Sequence, residues 1–480
     1  MDNNSKKLTI LFIDRPRLRP LFLETIESMK ERFNIVVLAV QSAMPEYTCI
    51  PGIYVEQHIN DKDVSSGQQI LKHNPQVVQE IERELGINCY KCNINYLLYR
   101  KFASKYGVGE SHRFENEHIP ELLVMNYFRI KTIVEKYNVD YAFFETIDTL
   151  DTVILEAMAQ KGLISQTLER GILSIGGKVR TRIASGKFKR SPKLNYVYSN
   201  KLFSTEAMDW AKDLVNKTKD KRQVSLYDLT HMKMGATIPK YSFSEIKNKV
   251  ERVINNGESF IPAILKQKNR LLSAKYFANE LPAGKLIAYF LQMTPEASMC
   301  YQTPRYATQE YLIEQAAING KYGYSIVVKE HPRAFGNRPK SFYEELSFLP
   351  NVTLLPPSFS NRELLLNSEA VLSAGGTSPS LESLVSGTPV ITVGHPYFDV
   401  CTNVHNIDRP EDLWDIIEDI EFDEQGRIDF LAALYEASYT HPEANTIYGF
   451  TKATGLGPIL AQALEDEIDL YERKLLISEY

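Results

Sequence analysis

Tyr324-Ser325-Ile326-Val327-Val328-Lys329-Glu330-His331-Pro332 is an apolar run that halts at charged residues, a histidine and a proline. Further along come Ser373-Ala374-Gly375-Gly376-Thr377-Ser378 and Pro389-Val390-Ile391-Thr392-Val393-Gly394. Each block reads as a buried strand that stops at residues able to hold an anion. In a doubly wound α/β domain, polar groups collect where the carboxyl ends of parallel strands meet the next helices. These blocks therefore predict a parallel sheet with a nucleotide site along one edge.

Outward from this core the rhythm continues. Strands are expected at Leu286–Leu291, Tyr324–Lys329, Val352–Leu355, Ala370–Ser373 and Val390–Val393, with helical patterns at Thr308–Asn319, Asn361–Leu366 and Ser380–Val385. The N-terminal part shows the same alternation. Strands are expected at Leu8–Ile13, Ile35–Val40, Tyr141–Glu145 and Leu163–Leu168, with helices after Pro20, over Glu121–Tyr137 and over Asp151–Lys161. Alternating strands and helices imply βαβ units. The fold class is α/β with two Rossmann-like lobes, a helical insertion and a C-terminal crossover helix. The expected division is 1–180 for an acceptor lobe, 181–282 for a helical insertion and connection, 283–450 for a nucleotide-sugar lobe, and 451–480 for a helix packing back toward the first lobe.

In the second lobe, Gly375 and Gly376 let backbone approach a ligand, and Pro379 and Ser380 start a helix whose free N–H groups favour phosphate. Thr377 and Ser378 add hydroxyl donors. Glu382 lies one turn in, where it could accept from ribose hydroxyls. Pro332 ends its strand, so His331 projects at the carboxyl edge, able to donate to a phosphate. Lys329 and Arg333 flank it; they suit an anion or are solvated strand-end charges. Gln292, Thr294 and Glu296 follow the first strand of this lobe, in the same place in the architecture.

The matching edge of the first lobe carries Asp14-Arg15-Pro16-Arg17, Glu145-Thr146-Ile147-Asp148 and Glu169-Arg170-Gly171. Carboxylates at strand ends are general-base candidates. Glu169, placed before a glycine turn that would expose it, leads; Asp148 and Glu145 follow. The alternative is helix capping or structural ion pairing. Lys178 to Lys193 is rich in Lys and Arg. It reads as a solvated loop, or as an anion cradle or membrane-surface contact.

Composition narrows the classes. The 480 residues are 44% hydrophobic and 24% charged, with a net charge of −5. That is a globular composition with no overall basic field for nucleic acid. No apolar run reaches the 18 or so residues that span a bilayer, so a cytoplasmic protein is expected, peripheral to the inner face of a membrane if it contacts one. Five scattered cysteines make no disulfide framework, and Cys89-Tyr90-Lys91-Cys92 lacks the second pair of a zinc site. Asp61-Lys62-Asp63 follows no strand, so it reads as a surface turn, and no metal is expected.

The second half resembles the capsule-polysaccharide biosynthesis family, which includes Kdo transferases. The resemblance rests on Lys329-Glu330-His331-Pro332, on Ser373 to Ser378 leading into Leu381-Glu382, on Ser386-Gly387-Thr388-Pro389-Val390-Ile391, and on Gln292-Met293-Thr294-Pro295-Glu296. Glu169-Arg170-Gly171 is similar to an acidic-x-Gly turn found there and in two-lobed bacterial sialyltransferases. The resemblance implies a metal-independent GT-B glycosyltransferase with no cofactor. Its donor would be a CMP-activated acidic sugar, and its acceptor a surface polysaccharide or glycolipid. His331-Pro332 and Thr377-Ser378 would hold the CMP phosphate, Glu382 or Glu296 the ribose or base, and Glu169 would act near the anomeric centre or on the acceptor hydroxyl. A UDP-sugar 2-epimerase and a non-catalytic polysaccharide-binding or export protein are the alternatives.

Overall fold

The computed structural model describes residues 7–58, 64–92, 118–175, 178–186, 188–219, 261–293, 298–441 and 455–476. The chain forms two compact units. One takes the described residues of Met1–Asn95, Glu115–Lys212 and Ile428–Tyr480, the other those of Asp213–Arg427.

The first unit holds β1 (Thr9–Ile13), β2 (Asn34–Ala39), β3 (Tyr54–Gln57), β4 (Tyr141–Phe144), β5 (Gln166–Ile175) and β6 (Lys178–Ala184), in spatial order β6-β5-β4-β1-β2-β3. The first five run parallel. β1 and β4 are buried at every position, which is why they read as unbroken apolar runs rather than alternating ones. Phe12 and Phe143 meet edge to face at 5.3 Å, and Phe22 of the helix Arg19–Met29 packs 5.5 Å from Phe143.

The second unit holds β7 (Lys285–Phe290), β8 (Tyr324–Lys329), β9 (Val352–Leu355), β10 (Ala370–Ala374), β11 (Val390–Val393) and β12 (Val404–Ile407). All pair parallel, in the order β12-β11-β10-β7-β8-β9. β8 and β9 extend to one side of β7, and β10 to β12 to the other. The strand order reverses between β7 and β10, the place where open α/β sheets bind ligands. Both units are therefore Rossmann-like.

Two elements differ from expectation. β5 does not stop at Leu168; it runs on and pairs antiparallel with β6, opposing Glu169 to Ala184 and Gly171 to Arg182. Gly171 is not a turn. A Cβ there would lie 2.8 Å from Cγ of Arg182, so glycine makes room for a buried arginine inside the hairpin. The start of the 181–282 segment is consequently strand, and the helices Pro192–Ser199 and most of Thr205–Lys219 stay with the first unit.

The chain also returns to the first unit at Ile428, earlier than 451. A short strand, β13 (Tyr439–His441), joins the edge of β6 antiparallel. Arg180 explains the splice. Its guanidinium donates to Ser438 Oγ at 2.7 Å, to the Ser438 carbonyl at 2.8 Å and to the Tyr435 carbonyl at 2.7 Å, under the Tyr435 ring. Arg180 and Arg182 are 5% and 3% exposed, so these two members of the basic run are buried in the sheet and are not solvated surface charges.

The C-terminal helix Gly457–Glu472 packs against Arg19–Met29. Their closest approach is at Gly457, where a Cβ would sit 2.2 Å from the Glu24 Cβ. Glu24 accepts from the N–H groups of Gly455 and Gly457, both at 3.0 Å, a carboxylate at the positive end of a helix. Gly457→Ala should push the helices apart and destabilise the first unit by about 1–3 kcal/mol. The urea midpoint reads this; an unchanged midpoint would mean the contact is slack.

Candidate functional site

The carboxyl edge of the second sheet is tied together at its switch point. Gln292, two residues past β7, is 7% exposed. Its Nε2 donates to the Ala374 carbonyl at the end of β10 at 3.0 Å. Its own backbone is clasped by Gln309, whose Oε1 accepts from the Gln292 N–H at 2.8 Å while Nε2 donates to the carbonyl at 3.0 Å. The Gln292 side chain is therefore a brace between β7 and β10, not an open ligand contact.

His331 leaves the end of β8 half-buried. Its Nδ1 accepts from the Arg333 N–H at 3.2 Å, which places the proton of the neutral ring on Nε2. Beneath it Glu330, 1% exposed, takes Arg338 at 2.7 Å and the Tyr343 hydroxyl at 2.5 Å. Pro332 opens a loop held from outside by the helix Ile261–Ser273. Lys266 donates to the Arg333 carbonyl at 3.1 Å, Asn269 to that of Gly336 at 3.0 Å, and Arg270 to that of Phe335 at 2.9 Å. Lys329 is not a solvated strand end: it is 4% exposed, and its Nζ donates to the Pro357 carbonyl at 3.2 Å. Burial pulls its pKa down to about 8, against the opposing charges of Glu330 and Glu382.

After β10 the chain turns at Gly375, φ +69°, a conformation that favours glycine. Thr377 caps the helix Ser378–Ser386, its Oγ1 accepting from the Ser380 N–H at 3.1 Å. The Ser380 hydroxyl donates to Ser373 Oγ at 3.0 Å, and Ser373 donates to the Gly375 carbonyl at 2.8 Å, fixing the turn from below. Among the described residues no backbone carbonyl takes the N–H groups of Gly376, Thr377 or Ser378. With Pro379 lacking an N–H, these three are the turn's donors, and the exposed Ser378 adds its hydroxyl. The Thr377 hydroxyl is spent on the cap. Glu382 is 4% exposed and accepts from Asn361 at 3.4 Å. It balances the buried Lys329 charge rather than lining open surface.

Sequence reasoning placed Glu330 at this edge without giving it a role, and missed Arg338, Thr303 and His395 as parts of it. Thr303 wedges between two glycine turns, 3.6 Å from a Cβ built at Gly375 and 2.8 Å from one built at Gly394. His395 follows β11, paired with Asp399 at 3.3 Å. Its signal was present: Gly394-His395-Pro396 repeats the strand-then-His-Pro pattern of His331-Pro332. Thr294 and Glu296 lie outside the described residues, as do Asp61-Lys62-Asp63.

In the first unit the carboxyl edge carries a charged cluster. Arg15, after β1, pairs with Asp148, and the charges of Asp151 and Glu145 also act on it. Arg17 pairs with Glu145, and Arg19 with Asp14 at 3.0 Å. His58, just past β3, meets Asp151 at 2.9 Å. The Asp148 side chain is 33% exposed, and partial burial raises its carboxyl above the usual range despite Arg15. Glu169 is different. It is 0% exposed in the middle of the β5–β6 hairpin, contrary to the exposed turn expected. Its Oε2 accepts from the Ile147 N–H at 3.2 Å, with Lys189 Nζ at 3.6 Å, and its Oε1 has no partner among the described residues. Burial pushes its pKa up to about 7.

Cys89 and Cys92 are buried, and burial raises their thiols to about 11 and about 12, so neither is a thiolate near neutral pH. Among the described residues no group of three or more His, Cys, Asp or Glu is placed to hold a metal ion, and no helix is long and apolar enough to cross a membrane.

Residues 200–403 match the family model described as capsule polysaccharide biosynthesis protein. No curated protein matches the chain. Among solved structures, a Thermosulfurimonas dismutans KpsC β-Kdo 2,4-transferase is similar at 13% identity and TM-score 0.38, over 65% of this chain and 86% of that one. The β-Kdo 2,7-transferase of the same organism's KpsC gives 12% and 0.33, over 70% and 93%. A UDP-N-acetylglucosamine 2-epimerase from Listeria monocytogenes, itself putative, gives 12% and 0.25, over 98% and 97%. Residues 200–403, the segment that builds this edge, are thus similar to the capsule polysaccharide biosynthesis family.

Proposed function

We propose that the protein is a glycosyltransferase that moves a sugar from a nucleotide donor to a surface polysaccharide or glycolipid. The donor is a CMP-activated acidic sugar, of the Kdo or sialic-acid kind. One observation carries the reading: the Gly375–Ser378 turn, the start of its helix and His331 stand at the carboxyl edge where the second sheet's strand order reverses. Backbone N–H groups and a helix N-terminus there suit a phosphate.

In this reading the N–H groups of Gly376, Thr377 and Ser378 hold the donor phosphate, and Nε2–H of His331 stabilises the charge on the departing nucleotide. Pro332 fixes the backbone behind His331, Lys329 offsets the buried charges of Glu330 and Glu382 beneath the edge, and Gln292 holds the turn. In the first unit Asp148, its carboxyl raised above the usual range by burial and its side chain one-third exposed, takes the proton of the acceptor hydroxyl. Glu169 holds the Ile147–Asp148 backbone in place. Metal independence belongs to the same reading and predicts transfer that persists in EDTA.

The test is calorimetric binding of CMP and UDP, followed by incubation with CMP-Kdo, CMP-sialic acid and UDP-sugars with and without glycan acceptors. Micromolar CMP binding and acceptor-dependent release of CMP are expected. Failure to bind any nucleotide would sink the proposal. Isomerisation of a UDP-sugar without acceptor would replace it with a 2-epimerase.

A further inference from the structure

We infer that Arg338 is a positioning residue for the nucleotide site, joining the His331 loop to the Gly375 turn through one chain of buried hydrogen bonds. The inference rests on the nucleotide reading above.

Arg338 is 3% exposed. Its Nη1 donates to Glu330 Oε1 at 2.7 Å, and its Nη2 to the Gln292 carbonyl at 2.5 Å. Glu330 Oε1 also accepts from the His331 N–H at 2.5 Å, and Oε2 from the Tyr343 hydroxyl at 2.5 Å. Gln292 in turn reaches the Ala374 carbonyl, directly before Gly375. The path runs His331 N–H, Glu330, Arg338, Gln292, Ala374, and so links the ends of β8, β7 and β10 across the switch point.

A buried ion pair is weak evidence for stability, because desolvation consumes much of the attraction. A guanidinium does supply direction, with N–H groups at fixed angles in one plane. Here those N–H groups face a carboxylate that holds the His331 backbone and a carbonyl whose own residue holds the turn. A phosphate site needs its donors placed to within about half an ångström. The planar fork sets the spacing between His331 and the Gly375–Ser378 amides.

The test replaces both charges at once, Glu330→Leu with Arg338→Met, because removing one partner leaves an unpaired buried charge and risks unfolding. The double variant should stay folded with a lowered melting temperature, because the Tyr343 hydroxyl loses its acceptor, yet bind CMP at least about tenfold more weakly, the size of one lost charge-assisted hydrogen bond. In turnover, KM for the donor should rise while KM for the acceptor stays put. A purely structural role would shift stability and both KM values together. Arg338→Lys serves as the second variant: it keeps the charge beside Glu330 but loses the fork, and the same loss of CMP affinity is expected. CMP affinity within twofold of wild type in either folded variant overturns the inference while leaving the transferase reading intact. A wild-type protein that binds neither CMP nor UDP overturns both.

Discussion

His331→Ala should lower kcat/KM for sugar transfer by about a hundredfold or more, the usual cost of losing one donor aimed at developing charge. The melting temperature should barely move. The ring is half-buried at the end of β8, and the bond from the Arg333 N–H to Nδ1 spans only two residues of the same loop. The backbone beneath is held by Glu330 and Arg338, which the substitution does not touch. Because Nδ1 accepts, the neutral ring carries its proton on Nε2, the atom left to donate to the departing nucleotide. His331→Gln, which places an amide N–H near the same position, should recover part of the rate. Wild-type turnover by the alanine variant would remove His331 from the mechanism.

Much of the second sheet was legible because its strands are buried on both faces. Val327, Leu372 and Ile391 each stand in runs too apolar and too short for anything but central parallel strands. β12 was not, because Val404-His405-Asn406-Ile407 is an edge strand with a mixed face. The β5–β6 hairpin was missed for a different reason. Glu169-Arg170-Gly171 looks like a strand end with a turn glycine, and Arg180 and Arg182 look like solvated cations. Only the pairing shows that Gly171 and Arg182 oppose each other and that a missing Cβ lets the arginine in. The Glu330–Arg338 pair was hidden similarly: the charges lie on either side of the His331-Pro332 loop, and their joint target, the Gln292 carbonyl, is remote in sequence. Local patterning finds strand ends; what ties one strand end to another is a tertiary contact.

The largest stability effect is expected at Glu169, and it separates two roles that the sequence merged. The carboxyl is wholly buried, and burial raises its pKa to about 7, with Lys189 opposing and Glu156 adding to the rise. In the unfolded chain it titrates near its ordinary value of 4.5. Below pH 4.5 both states hold the proton and the group costs nothing. As pH climbs from 4.5 to 7 the unfolded chain sheds its proton first, so the folded state loses ground. Above 7 the loss levels off at about 3 kcal/mol. Glu169→Gln keeps an oxygen for the Ile147 N–H and removes the buried charge. The variant should therefore match wild type in urea unfolding at pH 4 and exceed it at pH 8, with the difference growing through the window between. Transfer should survive in Glu169→Gln and collapse in Asp148→Asn, because the one-third-exposed Asp148 is the carboxylate a hydroxyl can reach. The reverse pattern, with Glu169→Gln inactive, no more stable at pH 8, and Asp148→Asn active, would return the base to Glu169. It would also require the β5–β6 hairpin to open during turnover, since the carboxyl is sealed between Ile147 and Lys189.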